Sequence, residues 1–261
     1  MTTSLTLLPP ALVLILGALF LPLLRGGIRS AALLLLPLVT LWLVWSLPDG
    51  ATLRMSFLGY ELLPLKVDKL SRLFALVFAI MAFAGALFAL RQPRTVELVA
   101  AFAYAGSAIG AVMAGDLISL FVFWEIMAIG STLVILSAGG GARRAAFRYA
   151  IMHFIGGVLL MAGIAGEIQA TGSVAFSAMD ASTPARGLML AGFLINAGAP
   201  PLSAWLSDAY PESSWSGMVF LSAFTTKTAV YTLIRGFPGT EILIPVGLFM
   251  VFYGIIRSEE H

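Results

Sequence analysis

The chain has 261 residues, of which 60% are hydrophobic and 11% charged, with a formal net charge of +2. Soluble domains carry roughly 25% charged and about 45–50% apolar residues, so this composition belongs to a membrane protein. The low charge and scattered arginines argue against a nucleic-acid surface, and the lack of cysteine excludes disulfides, thiolate chemistry and Cys-based metal sites.

Apolar runs near the ~20 residues needed to cross a bilayer recur along the chain. They predict transmembrane helices over 5–24, 29–47, 70–90, 98–114, 116–137, 149–168, 187–206, 215–235 and 241–257. The first run starts at Leu5 with no basic stretch before it and no small-residue cleavage site, so it reads as a span and not as a signal peptide. Between spans two and three, 48–69 is the longest polar connection, with the turn signal Pro48-Asp49-Gly50 and then Arg54, Glu61, Lys66, Asp68 and Lys69. A second surface loop, 169–186, is rich in Ser, Thr and Ala.

Arginines fall in alternate connections: Arg25 and Arg29, then Arg91 and Arg94, then Arg143, Arg144 and Arg148. The positive-inside rule makes that side cytoplasmic, with the N-terminus outside and the tail from Arg257 to His261 in the cytoplasm. Asp208 and Glu212 interrupt the pattern after span seven, but acidic residues weigh little in the rule. The expected fold is an all-α, multi-pass protein of the cell (inner) membrane, with about nine transmembrane helices and no soluble domain.

Ionisable groups at membrane depth are costly and point to function by default. Glu125 lies in Leu120-Phe121-Val122-Phe123-Trp124-Glu125-Ile126-Met127. At 1.5 Å per residue it is roughly 13 Å into its span, near the midplane. Lys227, one of three lysines in the chain, is central in the eighth span. His153 lies about one turn past Arg148. Each has a plain structural alternative: a carboxyl that only ties helices together, a lysine whose stem reaches a surface, and, for His153 above all, a packing histidine bonded to a neighbour. The two histidines, His153 and His261, are too far apart to suggest a metal site.

The seventh span contains Asn196-Ala197-Gly198-Ala199-Pro200-Pro201-Leu202-Ser203. Prolines remove backbone donors and clash with the preceding turn, so this helix is expected to break near Ala197 to Pro201. Breaks at membrane depth are tolerated inside protein or beside a wet cavity, and in transporters they often mark the ion site. Asn196, Ser203, Thr225, Thr226 and Thr228 are candidates to hold water there; a purely structural kink is the alternative.

The run Phe121 to Met127, with Trp124-Glu125, resembles the fifth helix of the antiporter-like subunits shared by respiratory complex I and the Mrp cation/proton antiporters. Arg148 to Leu160 resembles their sixth helix. The longest match is Gly192 to Arg235, with Pro201-Leu202-Ser203-Ala204-Trp205-Leu206-Ser207-Asp208-Ala209-Tyr210-Pro211-Glu212 and Leu221-Ser222-Ala223-Phe224-Thr225-Thr226-Lys227; it looks most like the D subunit of Mrp-type antiporters. The resemblance covers about residues 100–257, and the first three spans match only in pattern.

The resemblance implies a proton path of charged residues at mid-membrane, in which Glu125 and Lys227 fall on the family's glutamate and lysine. It also implies one five-helix repeat, helices four to eight, over 98–235, with helices 1–3 in 1–97 and a ninth helix and short tail in 236–261. Two positions depart from the family. Asn196 stands where a lysine is usual, and an amide does not take up a proton near pH 7. Ser203 stands where a histidine commonly follows Pro-Leu. The second inverted repeat of the family is not found in this sequence.

The expected function is a subunit of a multi-subunit complex moving protons and monovalent cations, Na+ or K+, with the second repeat supplied by another chain. Glu125, Lys227 and His153 are the titrating candidates; Asn196, Ser203, Thr225 and Thr226 are the candidates for the water and ion path. The alternatives are a degenerate, non-conducting structural subunit, or an accessory of a bicarbonate-uptake or hydrogenase-type complex. No nucleophile–base pair or cofactor motif is visible, so neither an enzyme active site nor a cofactor is expected, and the partners are other membrane subunits and the bilayer.

Overall fold

A computed structural model describes residues 8–259. The opening of the first expected span, Leu5 to Leu7, and the tail residues Glu260 and His261 lie outside the described residues. Helix α1 is Pro10–Phe20, followed by a 3-10 turn to Leu23; α2 is Gly26–Ser46. Strands β1 (Thr52–Phe57) and β2 (Tyr60–Lys66) follow, then α3 (Lys69–Phe88), α4 (Thr95–Met113), α5 (Leu117–Ser137) and α6 (Ala142–Thr171). Helices α7 (Pro184–Ala197) and α8 (Ala204–Ala209) flank a break, as do α9 (Trp215–Ala223) and α10 (Thr225–Gly236); α11 is Leu243–Glu259. Among the described residues, six helical stretches are long and apolar enough to cross a membrane: Gly26–Ser46, Lys69–Arg91, Thr95–Met113, Leu117–Ser137, Ala142–Thr171 and Trp215–Gly236.

Helix starts follow local capping chemistry. Asp68 and Ser71 form a reciprocal capping box on α3, and the side chains of Asp116, Thr183 and Ser214 cap α5, α7 and α9. Helices α6 and α7 end on Gly172 and Gly198 with positive φ, a conformation open to glycine at no steric cost.

Three sequence expectations are corrected. The sixth helix, expected over 149–168, begins seven residues earlier at Ala142, because Arg143, Arg144 and Arg148 ride on its first turns. At 30 residues it is about 45 Å long, beyond the ~30 Å hydrocarbon core, so charged first turns suit its excess length. The eighth, expected unbroken over 215–235, is interrupted at Phe224. The connection 48–69 is no plain loop: Thr52 pairs with Lys66 and Phe57 with Tyr60 in an antiparallel hairpin. The seventh span breaks after Ala197, within the expected interval, and resumes at Ala204.

The hairpin is tied to the bundle through the backbone of Leu63, which bonds the Asp116 carboxylate and Gly115 N. Asp116 accepts from Leu63 N at 2.7 Å, Gly115 N donates to Leu63 O at 2.8 Å, and Leu117 N donates to Val174 O at 2.8 Å. Thus the hairpin, the α4–α5 turn and the loop after α6 meet at one end. Arg235 of α10 donates twice to Asp68 at that end, at 2.7 and 2.6 Å. The opposite, arginine-bearing end holds the Arg148–Asp208 pair and a buried carboxylate, Glu97. Glu97 accepts from Gln92, Ser137, Ser214 and Ser216, which ties the starts of α4 and α9 to the end of α5. Helix α4 is the innermost. Its Ala, Gly and Ser residues let neighbours approach closely: a Cβ at Gly106 would sit 2.8 Å from Ala11 O of α1.

Candidate functional site: a polar seam around helix α6

Helix α6 carries a buried stripe, Tyr149, His153, Gly156, Gly157 and Leu160, at the spacing of one helical face. Two consecutive glycines make this stripe thin at mid-membrane. The Glu125 carboxyl of α5 lies against Gly157, where an added Cβ would collide with Oε1. The Asn196 amide of α7 lies against Gly156, with Nδ2 2.7 Å from the position of a Cβ. Glu125 and Asn196 therefore approach α6 at adjacent residues.

Each of these groups keeps an atom without a protein partner. Asn196 Nδ2 donates to Gly192 O at 3.1 Å, while its buried Oδ1 is unpaired. Glu125 Oε1 is buried and unpaired. One turn along α6, His153 Nδ1 bonds Tyr149 O at 3.0 Å, so Nδ1 carries the hydrogen and the buried Nε2 is left unpaired. The His153 ring stacks on Tyr149 at 3.9 Å and meets Trp205 edge-on at 4.9 Å.

The break in the seventh span is built from the orphan carbonyls of α7. Gly198 N and the Trp205 indole both donate to Ile195 O at 3.1 Å, and Ala199 N donates to Leu194 O at 2.9 Å. Pro200–Pro201 is cis, and the chain turns into α8. Ser203 points elsewhere: it lines a cavity of about 170 Å³ with Gly198, Pro200, Leu206, Met250 and Tyr253, facing α11 and not Asn196.

The break at Phe224 forms a second polar centre. Tyr104 of α4 fills it, accepting from Thr225 N at 2.9 Å and sharing a hydrogen bond of 2.6 Å with Thr225 Oγ1. Lys227 folds back to donate to Ser222 O at 2.7 Å and Thr226 Oγ1 at 3.1 Å. Its ammonium thereby caps the carbonyl end of α9, the negative pole of that half-helix. Thr228 Oγ1 is buried and unpaired. No ion pair joins Lys227 to Glu125 among the described residues. Tyr149 links the two centres: its ring packs on His153, and its hydroxyl lies beside those of Ser131 and Thr225 without a hydrogen bond.

Glu125, His153 and Asn196 thus gather around α6, Lys227, Thr225 and Thr226 gather at the α9–α10 break, and Ser203 stands apart. Tyr104, Tyr149 and Ser131 are additions that sequence reasoning missed. Their signal in the sequence is a hydroxyl within a predicted span, which does not name the partner.

The family described as NADH:quinone oxidoreductase/Mrp antiporter, transmembrane, matches residues 114–257. The chain is 27% identical over 178 residues to the D subunit of the Na(+)/H(+) antiporter of Alkalihalophilus pseudofirmus, covering 57% of this chain and 34% of that one. It is 28% identical over 234 residues to the N subunit of the NADH-quinone oxidoreductase of Desulforudis audaxviator, covering 82% and 47%. Among solved structures, a chain of the membrane-bound sulfane sulfur reductase, an archaeal respiratory membrane complex, superposes with a TM-score of 0.77 at 26% identity, covering 87% of this chain and 40% of that one. The chain therefore spans about a third to a half of these proteins. Its helices and these matches make it a multi-pass membrane protein.

Proposed function

Because the chain belongs to the NADH:quinone oxidoreductase/Mrp antiporter transmembrane family, we propose that it is a proton- and monovalent-cation-translocating subunit of a multi-subunit membrane complex. The carrying observation is the set of buried atoms unpaired within the protein: Glu125 Oε1, His153 Nε2 and Asn196 Oδ1, drawn from three helices to the glycine stripe of α6. Buried polar groups are almost always bonded, so atoms left without a protein partner call for water, and water is the medium of a proton relay.

In this reading Glu125 and Lys227 hold the proton at the two centres, His153 and Tyr149 lie between them, and Asn196 orients water at the family's lysine position. Thr226 borders the path, Ser203 lies outside it in the small cavity beside α11, and Thr225 is engaged by Tyr104 and positions the break. The repeat spans 98–235, preceded by helices one to three and followed by the ninth helix. A further membrane-embedded protein segment covers the exposed Lys227. The arginine-bearing end faces the cytoplasm of the cell (inner) membrane, with the N-terminus outside.

The test is cation/proton exchange in the assembled complex. Glu125→Gln and Lys227→Ala are each expected to cut exchange about a hundredfold or more with assembly intact, the scale of losing a positioned proton-transfer group. Asn196→Ala is expected to cost less, and Asn196→Lys to retain exchange. If both neutralising changes leave exchange untouched, the second reading holds: a non-conducting structural subunit, favoured by the untitratable Asn196 and by the lack of a Glu125–Lys227 pair.

A further inference from the structure

At the arginine-bearing end, a groove of about 540 Å³ runs between α5 and α6, lined by Thr132 and Leu136 on one side and Arg143, Arg144, Phe147 and Ala150 on the other. Arg143, Phe147 and Ala150 form a single stripe at helical spacing, and Thr132 and Leu136 are one turn apart on α5. From Arg143 to Ala150 the groove follows α6 for about 10 Å, from the first helical turn toward the membrane interior. Its two ends differ in chemistry. The mouth is cationic: Arg143 and Arg144 are exposed and carry no ion pair among the described residues, whereas Arg148, which also lines the groove, is held by Asp208 at 2.6 Å. The deeper part is apolar, and Phe147 is 69% exposed along it.

We propose that this groove binds a diacyl phospholipid with an anionic headgroup. The phosphate sits between the Arg143 and Arg144 guanidinium groups, which match its charge and donor geometry. The acyl chains lie along Leu136, Phe147 and Ala150. Two unpaired cations at the mouth of an apolar cleft complement a ligand that is anionic at one end and hydrocarbon beyond it. Basic pockets between transmembrane helices recognise lipid headgroups by the same logic. The site lies on the outer side of the α5–α6 pair and uses none of the residues of the polar seam, so it stands independently of the proposed translocation.

Native mass spectrometry of the full chain in detergent, exposed in parallel to phosphatidylglycerol and phosphatidylcholine, reads the site. Phosphatidylglycerol is expected to be retained at least about tenfold better, the scale set by two interfacial arginines. Arg143→Gln combined with Arg144→Gln erases that preference, and Arg143→Lys with Arg144→Lys keeps most of it. Leu136→Trp fills the apolar part and weakens retention of the lipid with both arginines in place. As a control for net charge, Arg25→Gln with Arg91→Gln leaves the preference unchanged. Glycerol 3-phosphate, the headgroup anion without chains, does not displace the lipid. The proposal is overturned if the double glutamine variant keeps the preference, if the control pair erases it equally, if Leu136→Trp has no effect, or if glycerol 3-phosphate competes as well as the lipid, which would leave a phosphate contact only.

Discussion

Gly157 decides where the Glu125 carboxyl rests. A methyl group there would strike Oε1, the end of a flexible side chain, so Gly157→Ala is expected to displace the carboxyl at little cost in stability while lowering exchange in the complex. Gly163→Ala is the contrast: its Cβ would come 2.5 Å from Ala185 O and 2.8 Å from Met189 N, forcing α6 and α7 apart. That change is expected to cost about 1–3 kcal/mol. Thermal unfolding in detergent, paired with exchange assays, separates the two; equal destabilisation by both would remove the special role of Gly157. Glu125, Asn196 and Lys227 were legible in the sequence because charge and amide are conspicuous among apolar residues. The Gly156-Gly157 pair was visible too, but not which groups it admits, since that depends on the rotation of α5 and α7 about their axes. Glu97 sits at a predicted helix start, where a solvated carboxylate is ordinary; only folding brings Gln92, Ser137, Ser214 and Ser216 around it.

Among the elements, the α3–α10 clamp has a defined response to pH. Burial alone would push the Asp68 carboxyl up. The Arg235 hydrogen bonds, the Ser71 backbone bond and the Arg235 charge together outweigh it, so Asp68 lies below its ordinary value. A carboxyl depressed in the folded state adds stability above its unfolded pKa and loses it as pH falls through the folded one. The clamp is thus complete at neutral pH and released only in acid. Asp68→Asn keeps a competent helix cap. It is expected to cost roughly 1 kcal/mol at neutral pH, given the partial exposure of the pair, with the difference vanishing below the ordinary aspartate range. Thermal unfolding at neutral and acid pH checks this, and a cost that does not change with pH would sink it. The seventh-span break was legible because prolines forbid a regular helix. The break at Phe224 was not: Leu221 to Lys227 holds no proline or glycine, and the interruption rests on Tyr104, more than a hundred residues away. The hairpin was hidden for a related reason, since its register is held by Asp116 and Gly115 of the α4–α5 turn.

On the scale of the whole molecule, α10 presents Lys227, Val230 and Ile234 outward on one face. An ammonium facing hydrocarbon is costly, so this face is expected to be covered by another membrane subunit. A photo-reactive amino acid at Ile234 in native membranes is expected to give protein–protein adducts; adducts with lipid alone would refute the expectation. The bundle's alternating ends were legible from the arginine pattern, whereas the close pairing of α6 with α7 was not. That pairing bears on how the chain enters the bilayer. Helix α7 has 14 residues, about 21 Å, too short to span on its own. It lies along the much longer α6, with glycines 163, 166 and 192 at the contact and Arg186 donating to both Glu167 oxygens at 2.9 Å. Helices α6 and α7 are therefore expected to enter the bilayer as one hairpin, its loop end braced by the Arg186–Glu167 pair. Glu167→Gln should accordingly show itself in biogenesis, as a smaller fraction of chains resisting alkaline extraction, while each integrated chain works normally; full integration with impaired exchange would place the brace in turnover instead.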